Sequence, residues 1–70
     1  MEQKRERFKR LATSRTNVVL KALKVLGNCS NRSAYEYTEE ELTKIFSEIE
    51  KKTKEIKSKF HFPREEKFKL

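Results

Sequence analysis

The sequence predicts an all-α fold, in which two helices joined by a polar connection form an antiparallel hairpin. Apolar residues recur at intervals of three and four positions in two long segments, which is the spacing of one helical face. A helix-stop signal follows the first segment and a capping signal precedes the second. The chain has one Gly and one Pro, and neither lies inside the two segments. Two long helices are therefore expected, the first at about 3–26 and the second at 38–60.

The first segment ends at a glycine. Gly27 is expected to close the helix in a left-handed conformation, which residues other than glycine adopt at a steric cost. The stretch 13–17 contains four weak helix formers, two Thr, one Ser and one Asn, so a kink near Ser14 stays open. The apolar face is formed by Phe8, Leu11, Ala12, Val18, Val19, Ala22, Leu23 and Leu26.

The second segment has a clear start. Thr38 followed three residues later by Glu41 is the pattern of a capping box, in which each side chain binds the backbone N–H of the other. Pro63 disfavours helix in the residue before it, so the helix is expected to end near Phe60 and residues 61–70 to form a flexible tail. The apolar positions, spaced like those of a coiled coil, are Leu42, Ile45, Phe46, Ile49, Thr53, Ile56 and Phe60.

The connection, residues 27–37, is rich in Asn and Ser, which hydrogen-bond to their own backbone and favour turns. Tyr35 and Tyr37 lie two positions apart, so one ring is expected to pack on the end of the hairpin and the other to face outward. A structural turn is the preferred interpretation, and a recognition loop is the alternative.

A chain of 70 residues with 34% apolar residues has little material for a core. Below about 70–80 residues a single core rarely supplies more than about 3–5 kcal/mol. Cys29 is the only cysteine, so an internal disulfide is excluded. One His and one Cys do not complete a tetrahedral metal site. We therefore expect two hairpins to pair into a helical bundle as a homodimer.

The charge distribution indicates a partner. The net charge is +7, and residues 1–27 hold eight basic and two acidic residues. A concentrated basic helix neutralises phosphates without regard to sequence, so DNA or RNA is the expected partner. A solvated face is the common alternative, and binding to a membrane surface is less favoured because polar residues interrupt the apolar face and Trp is absent. The expected phosphate contacts are Lys4, Arg5, Arg7, Lys9, Arg10, Arg15, Lys21 and Lys24.

A second hypothesis is a protein-interaction module that inhibits or adapts a larger protein. Leu20 lies about 140° from the centre of the apolar face at about 100° per residue, so it is available to a partner. Tyr35 and Tyr37 are the other expected contacts. Arg15, within the apolar face, either pairs with Glu41 or Glu48 of the second helix or contacts nucleic acid; the sequence leaves both open.

Catalytic chemistry is not predicted. The single glycine excludes a glycine-rich phosphate loop, and no spacing of His and Cys matches a metal site. Cys29 and His61 lie far apart in sequence, and neither has the neighbours of a nucleophile or a base. The chain is thus expected to be non-enzymatic and to need no cofactor. It has neither a secretory signal pattern nor a membrane-spanning apolar run, so a cytoplasmic location is expected.

Three short patterns carry a resemblance to a group of proteins. They are Arg15-Thr16-Asn17, Leu26-Gly27-Asn28 with Ser30-Asn31, and Tyr35-Glu36-Tyr37-Thr38 with Glu39-Glu40. Over roughly residues 7–60 the chain resembles small helical proteins of plasmids, conjugative elements and phages of Gram-positive bacteria. The resemblance implies a mobile-element accessory protein, acting either with DNA or on a larger host protein. It implies no mechanism and no site residue.

Overall fold

The computed structural model describes residues 2–60, and these residues are all-helical or in turns and connections, with no strand among them. Helix α1 spans Lys4–Gly27, a short 3-10 turn spans Asn28–Ser30, and helix α2 spans Glu39–Lys57. The predicted all-α class with two helices is confirmed for this range. The described chain divides into two units between Glu36 and Tyr37, and each unit is described by itself. The predicted tail, residues 61–70, lies outside the described residues.

Helix α1 is continuous over 24 residues, including the weak helix formers at 13–17. Each of these residues costs at most about 0.7 kcal/mol relative to Ala, and a long helix absorbs such costs because propagation adds one hydrogen bond per residue. Helix α1 therefore continues without a break past Ser14, where the sequence left a kink or break open. Gln3 precedes the helix in extended backbone and makes no side-chain cap.

The end of α1 differs from the prediction. Gly27 has φ −59° and ψ −25°, so it is right-handed and is the last residue of the helix. No glycine in the described chain has a positive φ, and the predicted left-handed closure is wrong. The chain instead tightens into the 3-10 turn, and the backbone N–H of Asn28 donates to the carbonyls of Leu26 and Val25. This tightening satisfies carbonyl groups that a left-handed residue would otherwise serve.

Helix α2 begins as the sequence predicts and ends earlier. The Thr38 side chain accepts a hydrogen bond from the backbone N–H of Glu41 at 3.1 Å, and the Glu41 carboxylate accepts one from the backbone N–H of Thr38 at 2.9 Å. The capping box is thus confirmed. The helix ends at Lys57, three residues before the predicted Phe60. Beyond it the backbone bonds tighten to three-residue spacing, with the N–H of Lys59 donating to the carbonyl of Ile56 at 3.0 Å and the N–H of Phe60 to that of Lys57 at 3.1 Å.

No side chain of residues 2–60 is fully buried. Within α1 only Leu11, Ala12 and Leu26 are half-buried, and within α2 only Leu42 and Ile49 are. The apolar faces of both helices therefore remain largely accessible in this single chain, with Val18 at 65% exposure and Phe46 at 47%.

Candidate nucleic-acid interface

Helix α1 carries all eight of the predicted phosphate contacts. The helix holds eight basic residues and one acidic residue, Glu6, whereas α2 holds five basic and six acidic residues. Each of the eight basic side chains belongs to an exposed residue. The excess positive charge of the chain is therefore presented on one rigid element.

A straight row of polar side chains runs along α1, and we call it the polar stripe. Successive members are three or four residues apart, so at about 100° per residue they stay within about 100° of the helix circumference. At about 1.5 Å per residue the row is about 26 Å long. Its members are Arg7, Arg10, Ser14, Asn17, Lys21 and Lys24.

The other four predicted contacts do not lie on the polar stripe. Lys4 and Arg15 project among the apolar residues, each within about 40° of the direction of Phe8. Arg5 projects from the edge of the apolar face, in the direction of Leu23, and Lys9 projects from the flank between the two faces. The helix therefore brings four of the eight cations onto one line and distributes the rest around its circumference.

Arg10 is held by an ion pair that the sequence analysis did not predict. Its Nε donates to Oε1 of Glu2 at 3.1 Å, and its Nη2 donates to Oε2 at 3.0 Å. The two residues are eight positions apart, and Glu2 precedes the helix. Helical side chains tilt toward the helix N-terminus, which lets the long arginine reach back to Glu2. The usual i, i+4 rule gives no signal for such a pair.

The three predicted protein contacts differ in exposure. Leu20 is 58% exposed, about 90° from the middle of the polar stripe. Tyr35 is 54% exposed. Tyr37, which belongs to the second unit, is half-buried. Tyr37 is thus the more covered of the two, and the packing of one ring on the end of a hairpin stays a prediction.

The connection is organised around Asn31. Its side-chain Oδ1 accepts from the backbone N–H of Ser33 at 3.0 Å. Its carbonyl accepts from the backbone N–H groups of Ala34 and Tyr35 at 3.1 and 2.9 Å. These local bonds are those of a side chain that shapes its own turn. They favour the structural-turn interpretation for this asparagine.

The described residues hold no group of three or more His, Cys, Asp or Glu side chains that is placed to bind a metal ion. Neither described helix combines the length and apolarity needed to cross a membrane. In comparisons with known proteins, no family model, no curated protein and no solved structure matches the chain.

Proposed function

We propose that the chain is a non-enzymatic, nucleic-acid-associated accessory protein that contacts phosphates through α1. The eight basic residues of the helix supply the contacts, and the four cations of the polar stripe supply the aligned ones. The proposal includes the setting that the resemblance implies, an accessory protein of a mobile element acting in the cytoplasm.

The observation that carries the proposal is the contrast between the two helices. In α2 positive charge is balanced locally: Lys44 pairs with Glu40 at 3.7 Å, and Lys52 pairs with Glu55 at 3.2 Å. In α1 a single acidic residue stands among eight basic ones. Solubility alone does not require basic residues to be separated from acidic ones in this way. Phosphate binding benefits from the separation, because counterion release grows with the number of cations that contact the nucleic-acid backbone.

The experiment is fluorescence anisotropy with labelled DNA and RNA, titrated over a range of salt concentrations. Phosphate binding predicts an affinity that falls linearly in a double-logarithmic plot against salt, with a slope of about 0.9 per phosphate neutralised. Binding that is independent of salt, or no binding at low salt, would refute the proposal.

A pair of double variants makes the test specific. Arg7→Gln with Arg10→Gln removes two charges from the polar stripe, and Lys51→Gln with Lys54→Gln removes two from exposed positions of α2. The first variant should lower the magnitude of the salt slope by about two, since each lost phosphate contact lowers it by about one. The second should leave the slope close to that of the unmodified chain. Equal losses would mean that only net charge matters.

We further propose that α1 and α2 pair as an antiparallel hairpin and that two hairpins form a homodimeric bundle. The support is the exposure of both apolar faces in the single chain, with no fully buried side chain among residues 2–60. Burial of apolar surface is the main favourable term in folding, and such faces need a partner. Sedimentation velocity should show a dimer that dissociates on dilution, with helix content falling in parallel. A monomer of constant helix content at all concentrations would refute the bundle.

A second candidate function is a protein-interaction module acting on a larger protein. The exposure of Leu20 and Tyr35, two large side chains away from the polar stripe, favours it. This function predicts a complex that survives high salt and is lost in Leu20→Glu or Tyr35→Ala, while nucleic-acid binding is retained. A complex that dissolves at high salt would instead indicate a nucleic-acid bridge.

A further inference from the structure

We infer that the nucleic acid bound by α1 is duplex DNA in the B form, with the polar stripe lying in the major groove and Asn17 against the base edges. The inference rests on the proposed function and adds the class of nucleic acid and the residue that reads it. The shape of the helix, the order of residues along the stripe and the chemistry of its centre support it.

The first argument is shape. Helix α1 is an unbroken rod of 24 residues, about 36 Å long at about 1.5 Å per residue. An α-helix with its side chains is about 10–12 Å across, and the major groove of B-DNA is about 12 Å wide. Because the polar stripe lies within about 100° of the circumference, it faces the floor and walls of one groove at once.

The second argument is the order of residues along the polar stripe. Arg7 and Arg10 stand at one end, and Lys21 and Lys24 stand at the other, about 21 Å away at about 1.5 Å per residue. That separation exceeds the width of the groove, so the two cationic ends overhang the phosphate backbones when the centre lies in the groove. Along the stripe a phosphate contact is therefore followed by a base contact and then by a second phosphate contact. In proteins that read DNA sequence, phosphate contacts position the protein and base contacts provide the specificity.

The third argument is the chemistry of the centre. Ser14 and Asn17 are the two uncharged members of the polar stripe, and both belong to exposed residues. The Asn amide offers a donor and an acceptor side by side, which matches N7 and the N6 amino group of adenine in the major groove. Ser bonds to several base edges and sets no preference. Asn17 is therefore the residue placed to discriminate between bases.

Other anionic partners fit the helix less well. The polar stripe has no aromatic ring, and Phe8 projects about 150° away from its middle, so unpaired bases find no ring to stack on. The major groove of an RNA duplex is deep and narrow and does not admit a helix. An anionic membrane requires an uninterrupted apolar face, and here Lys4 and Arg15 project from that face.

The experiment compares four probes by anisotropy or co-sedimentation with the full chain. They are a 20-base-pair DNA duplex containing A·T pairs, the RNA duplex of the same sequence, one DNA strand alone, and phosphatidylcholine–phosphatidylserine vesicles. We expect the DNA duplex to bind at least tenfold more tightly than the other three. Equal or tighter binding to the RNA duplex, the single strand or the vesicles overturns this inference. Absence of binding to every nucleic acid overturns the proposed function itself.

A substitution tests the assignment of Asn17. Asn17→Ala should lower the affinity for the duplex that contains A·T pairs about tenfold and leave affinity for a duplex of G·C pairs nearly unchanged, since one bidentate base contact discriminates by about that factor. Ala is a better helix former than Asn, so the variant keeps the helix, which circular dichroism verifies. Thr16→Ala, at an exposed position of the same helix about 130° from the middle of the polar stripe, is the matched control and should bind both duplexes as before. Equal binding of both duplexes by the unmodified chain, or no effect of Asn17→Ala, overturns the assignment.

Discussion

Replacing Gly27 by Ala tests the conformation at the end of α1, because the direction of the stability change depends on it. Gly27 is right-handed, and a methyl group added there meets no atom within 4 Å apart from its chain neighbours and the backbone of its own helix. At such a position Ala stabilises the folded chain by about 0.5–1 kcal/mol relative to Gly, because it lowers the conformational entropy of the unfolded chain and has the higher helix propensity. A left-handed Gly27 would give the opposite sign, with a cost of about 1–2 kcal/mol. The structure therefore predicts that Gly27→Ala stabilises the chain.

The measurement is thermal unfolding followed by circular dichroism, at one fixed protein concentration. A gain of about 0.5–1 kcal/mol corresponds to a rise in the midpoint of about 2–8 °C for a chain of this size. Ala22→Gly, at an exposed position inside the same helix, is the matched control and should lower the midpoint by a similar amount. A lower midpoint for Gly27→Ala would refute the right-handed closure and restore the left-handed one.

Three further predictions concern binding, capping and assembly. Glu2→Gln frees Arg10 from its ion pair and should raise the affinity for duplex DNA by up to about fivefold, since an exposed ion pair is worth about 0.2–1 kcal/mol. Glu6→Gln makes the same change of charge and is the control. An equal gain of affinity in both variants would show that the ion pair does not compete with DNA for Arg10. Thr38→Ala should destabilise α2 by about 1 kcal/mol, which circular dichroism would detect as a loss of helix content, whereas Thr38→Ser should retain the cap. An unchanged helix content in the alanine variant would show that the capping box contributes little. Leu23→Glu should shift the proposed dimer to monomer in sedimentation velocity, while Thr13→Glu, off the apolar face, should not, and equal behaviour of the two would exclude that face from the interface.

The start of α2 could be read from local sequence. A Thr and a Glu three positions apart satisfy each other's backbone N–H groups wherever a helix begins, so the capping box depends on four consecutive residues and on nothing distant. The charge imbalance of residues 1–27 is likewise a property of composition, and helical periodicity alone places four of its cations on one line. These parts of the fold and of the candidate interface were accessible from the sequence.

The ends of the helices were less accessible. Gly27 permits both hands of backbone, and the choice depends on whether the following residues supply another way to satisfy the last carbonyls; here a 3-10 turn does so. Helix α2 ends at Lys57 because the backbone N–H groups of Lys59 and Phe60 bond to carbonyls three residues back and not four, a choice that no single residue type in this segment signals. Both outcomes depend on small differences between alternative local bonds.

The sequence by itself determined the helical class, the capping box and the concentration of positive charge in the first segment, because each follows from residue type and spacing within one element. Only the structure decided that α1 runs unbroken through residues 13–17 and that Glu2 reaches Arg10. The physical reason is range. Continuity of a helix is a cooperative sum over many weak preferences, and the ion pair joins extended backbone to the second turn of a helix, a separation that no fixed spacing rule covers.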